Sequence, residues 1–145
     1  MDAKVVIREL LARSDMGVMA TSGPDGPLCS LMAFAAIDPD CLVMATLPDS
    51  RKWRNILADP RLSLLVDNRD TAVSREAIRA LTLSGRHEPP SPAERQAGLA
   101  VLRQRHPHLE GLFATPDVAC IRLRVASYLL LTGPVEARFL TDLTD

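Results

Sequence analysis

Three cations crowd the start of one short predicted helix, in the run Thr46-Leu47-Pro48-Asp49-Ser50-Arg51-Lys52-Trp53-Arg54-Asn55. A helix N-terminus carries about half a positive charge and four amide groups without intrahelical partners. Acidic residues usually relieve that charge, yet here Arg51 and Lys52 stand in the first turn and Arg54 follows. Each such cation is unfavourable by about 0.3–1 kcal/mol when unscreened. A bound anion reverses the sign, because dipole, amides and both side chains then face one negative charge. A dianionic phosphate monoester suits that arrangement. The competing reading extends Arg51 and Lys52 into solvent on their aliphatic stems, with Asp49 offsetting the local charge.

No other constellation rivals this one. His87, His106 and His108 are the only imidazoles. His106-Pro107-His108 falls at a helix exit, where a cation is favourable without any ligand. No carboxylate or thiol cluster accompanies the histidines, so no metal site is expected. Cys29, Cys41 and Cys120 lie far apart in apolar runs, which predicts buried, reduced thiols. No catalytic triad or acid–base pair emerges, and the catalytic residues stay unassigned.

The elements that position the cationic segment follow from periodicity. Asp2 to Arg13 predicts a helix, with Val6, Ile7, Leu10 and Leu11 on one stripe and Asp2 as N-cap. Met16 to Thr21 is a short strand, and Ser22 to Pro27 a turn. Leu28 to Ile37 is apolar on both faces, which predicts a strand covered on both sides. Asp38-Pro39-Asp40 turns the chain into a third strand, Cys41 to Leu47. The cationic helix starts at Arg51, buries Trp53, Ile56 and Leu57, and stops at Asp59-Pro60.

Arg61 to Asp67 is a fourth strand, Asn68 to Ala77 a polar loop, and Ile78 to His87 an alternating strand. Ser91-Pro92-Ala93-Glu94 carries a capping box with proline at the first helical position, opening a helix to about Arg105. Asp117 to Val125 is a strand with Arg122 and Arg124 outward. Tyr128 to Thr132 and Val135 to Leu140 flank a Gly133-Pro134 turn. These connections predict one domain, residues 1–145: a mainly β antiparallel barrel, closed or partly closed, with flanking helices.

Composition narrows the function classes. A formal net charge of −1 gives no basic field for nucleic acid or acidic membranes. Aromatic residues make up only 3% of the chain, leaving few rings to stack bases. The amphipathic N-terminus does not read as a secretory signal, and no apolar run reaches the ~18 residues of a membrane span. A cytoplasmic location is expected.

Thr46-x-x-x-Ser50-Arg51-Lys52, followed by Asn55-Ile56, Asp59-Pro60-Arg61 and Ser63-Leu64-Leu65, resembles the core motif of the pyridoxamine 5′-phosphate oxidase-like superfamily. Arg79 to Arg86 is similar to that family's next strand. Arg105-His106-Pro107 and Asp117 to Leu123 resemble its haem-utilisation branch. The resemblance implies a six-stranded antiparallel split β-barrel of the FMN-binding type. It implies that Thr46, Ser50, Arg51 and Lys52 hold FMN, the two cations at its phosphate. It further implies that Ser30, Leu31, Met32 and Ala33 run along the flavin ring, and that two subunits share each flavin in a homodimer.

The chain also departs from the family. True pyridoxamine-phosphate oxidases carry an arginine where Ser30 stands and a lysine where Ala35 stands. Their C-terminal substrate cations are replaced here by Tyr128-Leu129-Leu130-Leu131. Vitamin B6 oxidation is therefore not expected. The resemblance implies an FMN-dependent oxidoreductase with a small-molecule substrate or electron donor; the alternative is a non-catalytic flavin or haem/tetrapyrrole carrier on the same barrel.

Overall fold

The computed structural model describes residues 2–144. Helix α1 (Ala3–Arg13) is capped by Asp2, whose carboxylate accepts from the Lys4 amide. Strands β1 (Met16–Gly23) and β2 (Gly26–Ala33) form a hairpin, and β3 (Ala35–Asp38) continues β2 after Phe34. Then follow β4 (Cys41–Thr46), α2 (Arg51–Ala58), β5 (Arg61–Asp67) and β6 (Ala80–His87). Helices α3 (Pro92–Arg105) and α4 (Glu110–Phe113) precede β7 (Ala119–Leu131) and β8 (Ala137–Leu140).

The strands pair antiparallel in the order β2-β1-β5-β6-β7-β4-β3, with β8 added to β7. The two ends of that order, β2 and β3, are one stretch of chain bent at Phe34. The sheet thus curls until its edges meet covalently but not by a hydrogen-bond ladder, which is a split barrel. Counting β2 and β3 as one bent strand gives the six expected strands; β8 is a short addition.

Phe34 is fully buried at the bend and fixed from both sides. Its amide donates to the Asp15 carbonyl at 3.0 Å, and its carbonyl lies 2.8 Å from His106 Nε2. The barrel interior holds Met19, Met32, Leu42, Met44, Leu64, Leu83, Ile121 and Leu130, plugged by Ile7, Leu10 and Leu11 of α1. A second cluster covers the outer face of β3 and β4 with Leu99, Leu102 and Phe113 from α3 and α4. That explains why all six residues of β4 are buried.

Five expectations need correction. Leu57 is not buried by α2 but 65% exposed, on the side of the helix away from the barrel. Leu28 to Ile37 is not one strand covered on both faces: β2 leaves Leu31 69% exposed. Cys29 shares that outer face and is exposed, while Cys41 and Cys120 are buried as expected. Arg122 does not point to solvent, because α3 covers its face of β7; it is buried and paired with Glu94 at 2.8 Å and Glu88 at 3.3 Å. The predicted break between Val125 and Tyr128 is absent, and β7 runs through it with a bulge opposite Ser84 and Gly85.

Candidate functional site at the start of α2

Helix α2 begins with Ser50 as N-cap, its hydroxyl accepting from the Trp53 amide at 3.3 Å, and with no acid in the first turn. Thr46, buried at the end of β4, donates its hydroxyl to Ser50 Oγ at 3.0 Å. Ser50 Oγ therefore accepts twice and keeps its own O–H for a further acceptor. The Arg51 and Lys52 amides, at the first two helical positions, have no main-chain partner among the described residues. Two amides, a hydroxyl and two cations thus gather at one helix end.

The cations differ in their company. Arg51 lies 3.4 Å from Asp25 in the β1–β2 turn, and both side chains are largely exposed. Lys52 Nζ has only the Met32 thioether, at 3.6 Å, as a hydrogen-bond partner among the described residues. An ammonium against sulfur is poorly compensated, since a thioether is a weak acceptor. Arg54 turns away, donating to the Asp49 carbonyl at 2.8 Å, and takes no part in the cradle.

The Lys52–Met32 contact joins the helix start to β2. Strand β2 ends the sheet order, so among the described residues one of its sides lacks a neighbouring strand. The register decides which residues face that side. Asp15 and Phe34 form a hydrogen-bonded pair, so by alternation Gly17–Met32 and Met19–Ser30 do as well. The main-chain groups of Ser30 and Met32 are thus spent on β1. Those of Leu31 and Ala33 point to the free edge, offering donors and acceptors a few residues from Lys52. The Met32 side chain lies within the barrel and the Leu31 side chain outside it.

The structure therefore brings Thr46, Ser50, Arg51, Lys52 and the segment Ser30–Ala33 into one region. Two residues that sequence reasoning left out also belong to it. Asp25 pairs with Arg51, and buried Asn55 donates to the Thr21 hydroxyl at 3.1 Å. An asparagine in the middle of an eight-residue helix, where it is a poor helix former, was the available signal for the second.

The imidazoles stay apart from this cradle's polar groups. His87 Nδ1 accepts from the Arg122 amide at 3.1 Å, and burial lowers its pKa. His106 is completely buried. Among the described residues no group of three or more His, Cys, Asp or Glu could hold a metal ion. No helix of the described residues is long and apolar enough to cross a membrane.

An antiparallel split barrel with a cationic helix start beside an open strand edge defines a class of fold and site. The family model described as pyridoxamine 5′-phosphate oxidase matches residues 4–130, and the chain belongs to that family. No curated protein matches it. Among solved structures it is similar to a haem-binding protein from Mycobacterium smegmatis, with a TM-score of 0.87 and 22% identity. That match covers 97% of this chain but only 58% of the other, so the chain spans little more than half of that relative. An F420 reductase matches at TM-score 0.63 and 28% identity, covering 83% of this chain and 94% of that one. A FAD-binding protein from Mesorhizobium loti matches at TM-score 0.71 and 18% identity, over 90% and 94% of the two chains.

Proposed function

We propose that this protein is an FMN-binding flavoprotein, an oxidoreductase acting on a small molecule from the cytoplasm as a homodimer. The carrying observation is the start of α2, where Arg51 and Lys52 open a first turn that contains no acid and Ser50 keeps a free O–H. A phosphate monoester satisfies all of these groups together. The free edge of β2 suits the pyrimidine side of a flavin ring, which presents both donors and acceptors. Leu31 and Ala33 supply the matching main-chain groups, and the Leu31 side chain an apolar surface beside the ring.

When bound, FMN supplies the hydride and electron chemistry, which is why no acid–base pair is required of the protein. The chain's own residues anchor, orient and exclude. Thr46 fixes the Ser50 hydroxyl; Arg51 and Lys52 neutralise the phosphate; Leu31 and Ala33 set the ring's height along the strand. Ser30 and Ala35 provide no clamp for a second phosphate, so pyridoxamine phosphate is not the expected substrate. An apolar pocket with few polar groups discriminates weakly, about 1–3 kcal/mol per methylene, and a broad substrate range follows.

The homodimer rests on the outer sheet face. Cross-strand register lines up Leu31, Val18, Leu65, Thr82, Leu129 and Phe139 as one row. The adjacent row is Cys29, Ala20, Ser63, Ser84 and Ser127, all small. An apolar ridge beside a small-residue trough on one face is self-complementary, as a two-fold interface requires. Leu31 lies in the ridge and at the flavin edge, so pairing two copies completes the ring's surroundings.

Fluorescence titration with FMN and riboflavin tests the cofactor. Removing a charge-assisted hydrogen bond of roughly 1.5–3 kcal/mol should weaken FMN binding by about one to two decades in Arg51→Ala. Riboflavin, lacking the phosphate, should bind weakly and ignore the substitution. Equal affinity of the wild type for both flavins overturns the assignment. The carrier alternative is separated by anaerobic mixing with NADH, NADPH or reduced deazaflavin: reduction of the bound flavin supports the oxidoreductase. A well-defined Soret band without flavin turnover replaces it with a haem carrier.

A further inference from the structure

Helix α2 is eight residues long, and among its residues only Asn55 and Ile56 are buried. A helix so short is held by few apolar contacts, so the direction of its N-terminus depends on whatever else fixes it. Asn55 is a costly choice in a helix interior, where its side chain competes with the backbone and an alanine propagates better. It is also buried, and a buried carboxamide must find partners.

Its partner lies on β1. Asn55 Nδ2 donates to Thr21 Oγ1 at 3.1 Å, and both residues are almost wholly buried, at 5% and 3% exposure. The carboxamide is admitted because residue 23 is glycine: a Cβ there would stand 2.5 Å from Asn55 Oδ1 and 2.9 Å from Cγ and Nδ2. Thr21 and Gly23 belong to the strand leading into the turn that carries Asp25, the partner of Arg51. One hairpin therefore touches both halves of α2.

We infer that Asn55 is the positioning residue of the phosphate cradle, keyed into Thr21 and Gly23 of β1 so that the amides, Arg51 and Lys52 face one point. This rests on the phosphate reading above. Asn55 sits about one turn beyond Lys52, pointing into the barrel wall. It touches no ligand; it sets the roll of the helix that does. A hydrogen bond whose donor and acceptor are both buried holds that roll more sharply than an apolar contact, because a small rotation breaks it.

The test compares selectivity with stability. FMN and riboflavin dissociation constants are measured for wild type, Asn55→Ala, Thr21→Val, Thr21→Ser and Gly23→Ala, with thermal melting of each. Asn55→Ala and Thr21→Val should weaken FMN binding roughly three- to tenfold, the loss of one hydrogen bond's worth of alignment. Riboflavin affinity should change less than about twofold, so the FMN-to-riboflavin ratio falls. Thr21→Ser keeps the hydroxyl and should keep the ratio.

Gly23→Ala should lower both the ratio and the melting temperature. Adding Asn55→Ala relieves its clash and should restore melting while leaving the ratio low. Parallel loss of both flavins in Asn55→Ala, or an undiminished ratio, overturns the inference. Were the wild type itself to bind both flavins equally, the phosphate reading would fail, and this inference with it. A wild-type preference that survives Asn55→Ala removes the positioning role alone.

Discussion

At the scale of single residues, Arg51 already has a carboxylate for company. Asp25 lies 3.4 Å away, but both side chains are more than half exposed, so the pair contributes at most about 1 kcal/mol. An incoming phosphate shares the guanidinium with that carboxylate and is repelled by it. Asp25→Asn should therefore tighten FMN binding by roughly two- to fivefold at low salt, an effect that fades as salt rises. Calorimetric titration at two salt concentrations measures it. Weaker binding in Asp25→Asn would show that the carboxylate orients Arg51 more than it competes.

His87 makes a residue-scale prediction about pH. It is buried, its ring meets Trp53 edge-on at 5.3 Å, and its Nδ1 already accepts from the Arg122 amide. Burial holds its pKa below the ordinary value. The folded protein then binds fewer protons than the unfolded chain, so stability rises with pH across this group's range. The neutral ring carries no penalty above the unfolded pKa of about 6.5, and stability falls progressively below it. The melting temperature should drop between about pH 7.5 and pH 5, and His87→Gln should flatten part of that drop. An identical slope in the variant would assign the effect to other groups.

At the scale of elements, α3 is fastened to β7 by Arg122. Its guanidinium pairs with Glu94, which also closes the capping box with Ser91, and with Glu88 before the helix. Arg122→Ala removes a nearly buried cation and leaves two half-exposed carboxylates beside each other. That should destabilise the fold by about 2 kcal/mol, less than for a fully buried pair because water reaches both carboxylates. Chemical denaturation measures it, and a change below about 0.5 kcal/mol would show the pair to be no better than a surface one.

The same residue marks where sequence reading stopped. Helix-boundary signals are local, so the start of α2 at Arg51, the Ser91–Glu94 box and the Asp59-Pro60 stop were all legible, and β5 matched to the residue. The alternation that set Arg122 and Arg124 outward leaves Ile121 and Leu123 inward, and both lie in the barrel core. It could not say that α3 covers the opposite face, which is decided by residues some thirty positions upstream. The both-faced apolar run Leu28 to Ile37 was legible as such, but not that Phe34 divides it. Of the site, the cation-bearing helix start was visible from its broken charge rule. Met32 was reached only through the family resemblance of its strand; Thr21 and Asp25 sit in another strand or turn, and no local pattern points to them.

At the scale of the whole molecule, the outer sheet face should govern association. Leu31, Leu129 and Phe139 are 69%, 37% and 66% exposed in one protomer. In the proposed dimer, a charge placed in the ridge would be buried against the small-residue row of the second copy. Leu129→Glu should convert the protein to a monomer in sedimentation experiments while its far-ultraviolet spectrum stays unchanged. It should also weaken flavin binding, although residue 129 lies on β7, away from the cradle. An intact dimer in Leu129→Glu would move the interface to another face.

The open side of β2 has a consequence for the protein's life in the cell. An uncovered strand edge with apolar Leu31 beside it is a template for pairing with any passing extended chain. In the proposed flavin-loaded dimer, the ring and the second subunit are what cap it. The amount of usable protein should then track vitamin supply: cells limited for riboflavin should hold less of it in soluble form and clear it faster. The wild type and an Asn55→Ala strain should diverge most when riboflavin is scarce, a comparison that pulse-labelling can make directly.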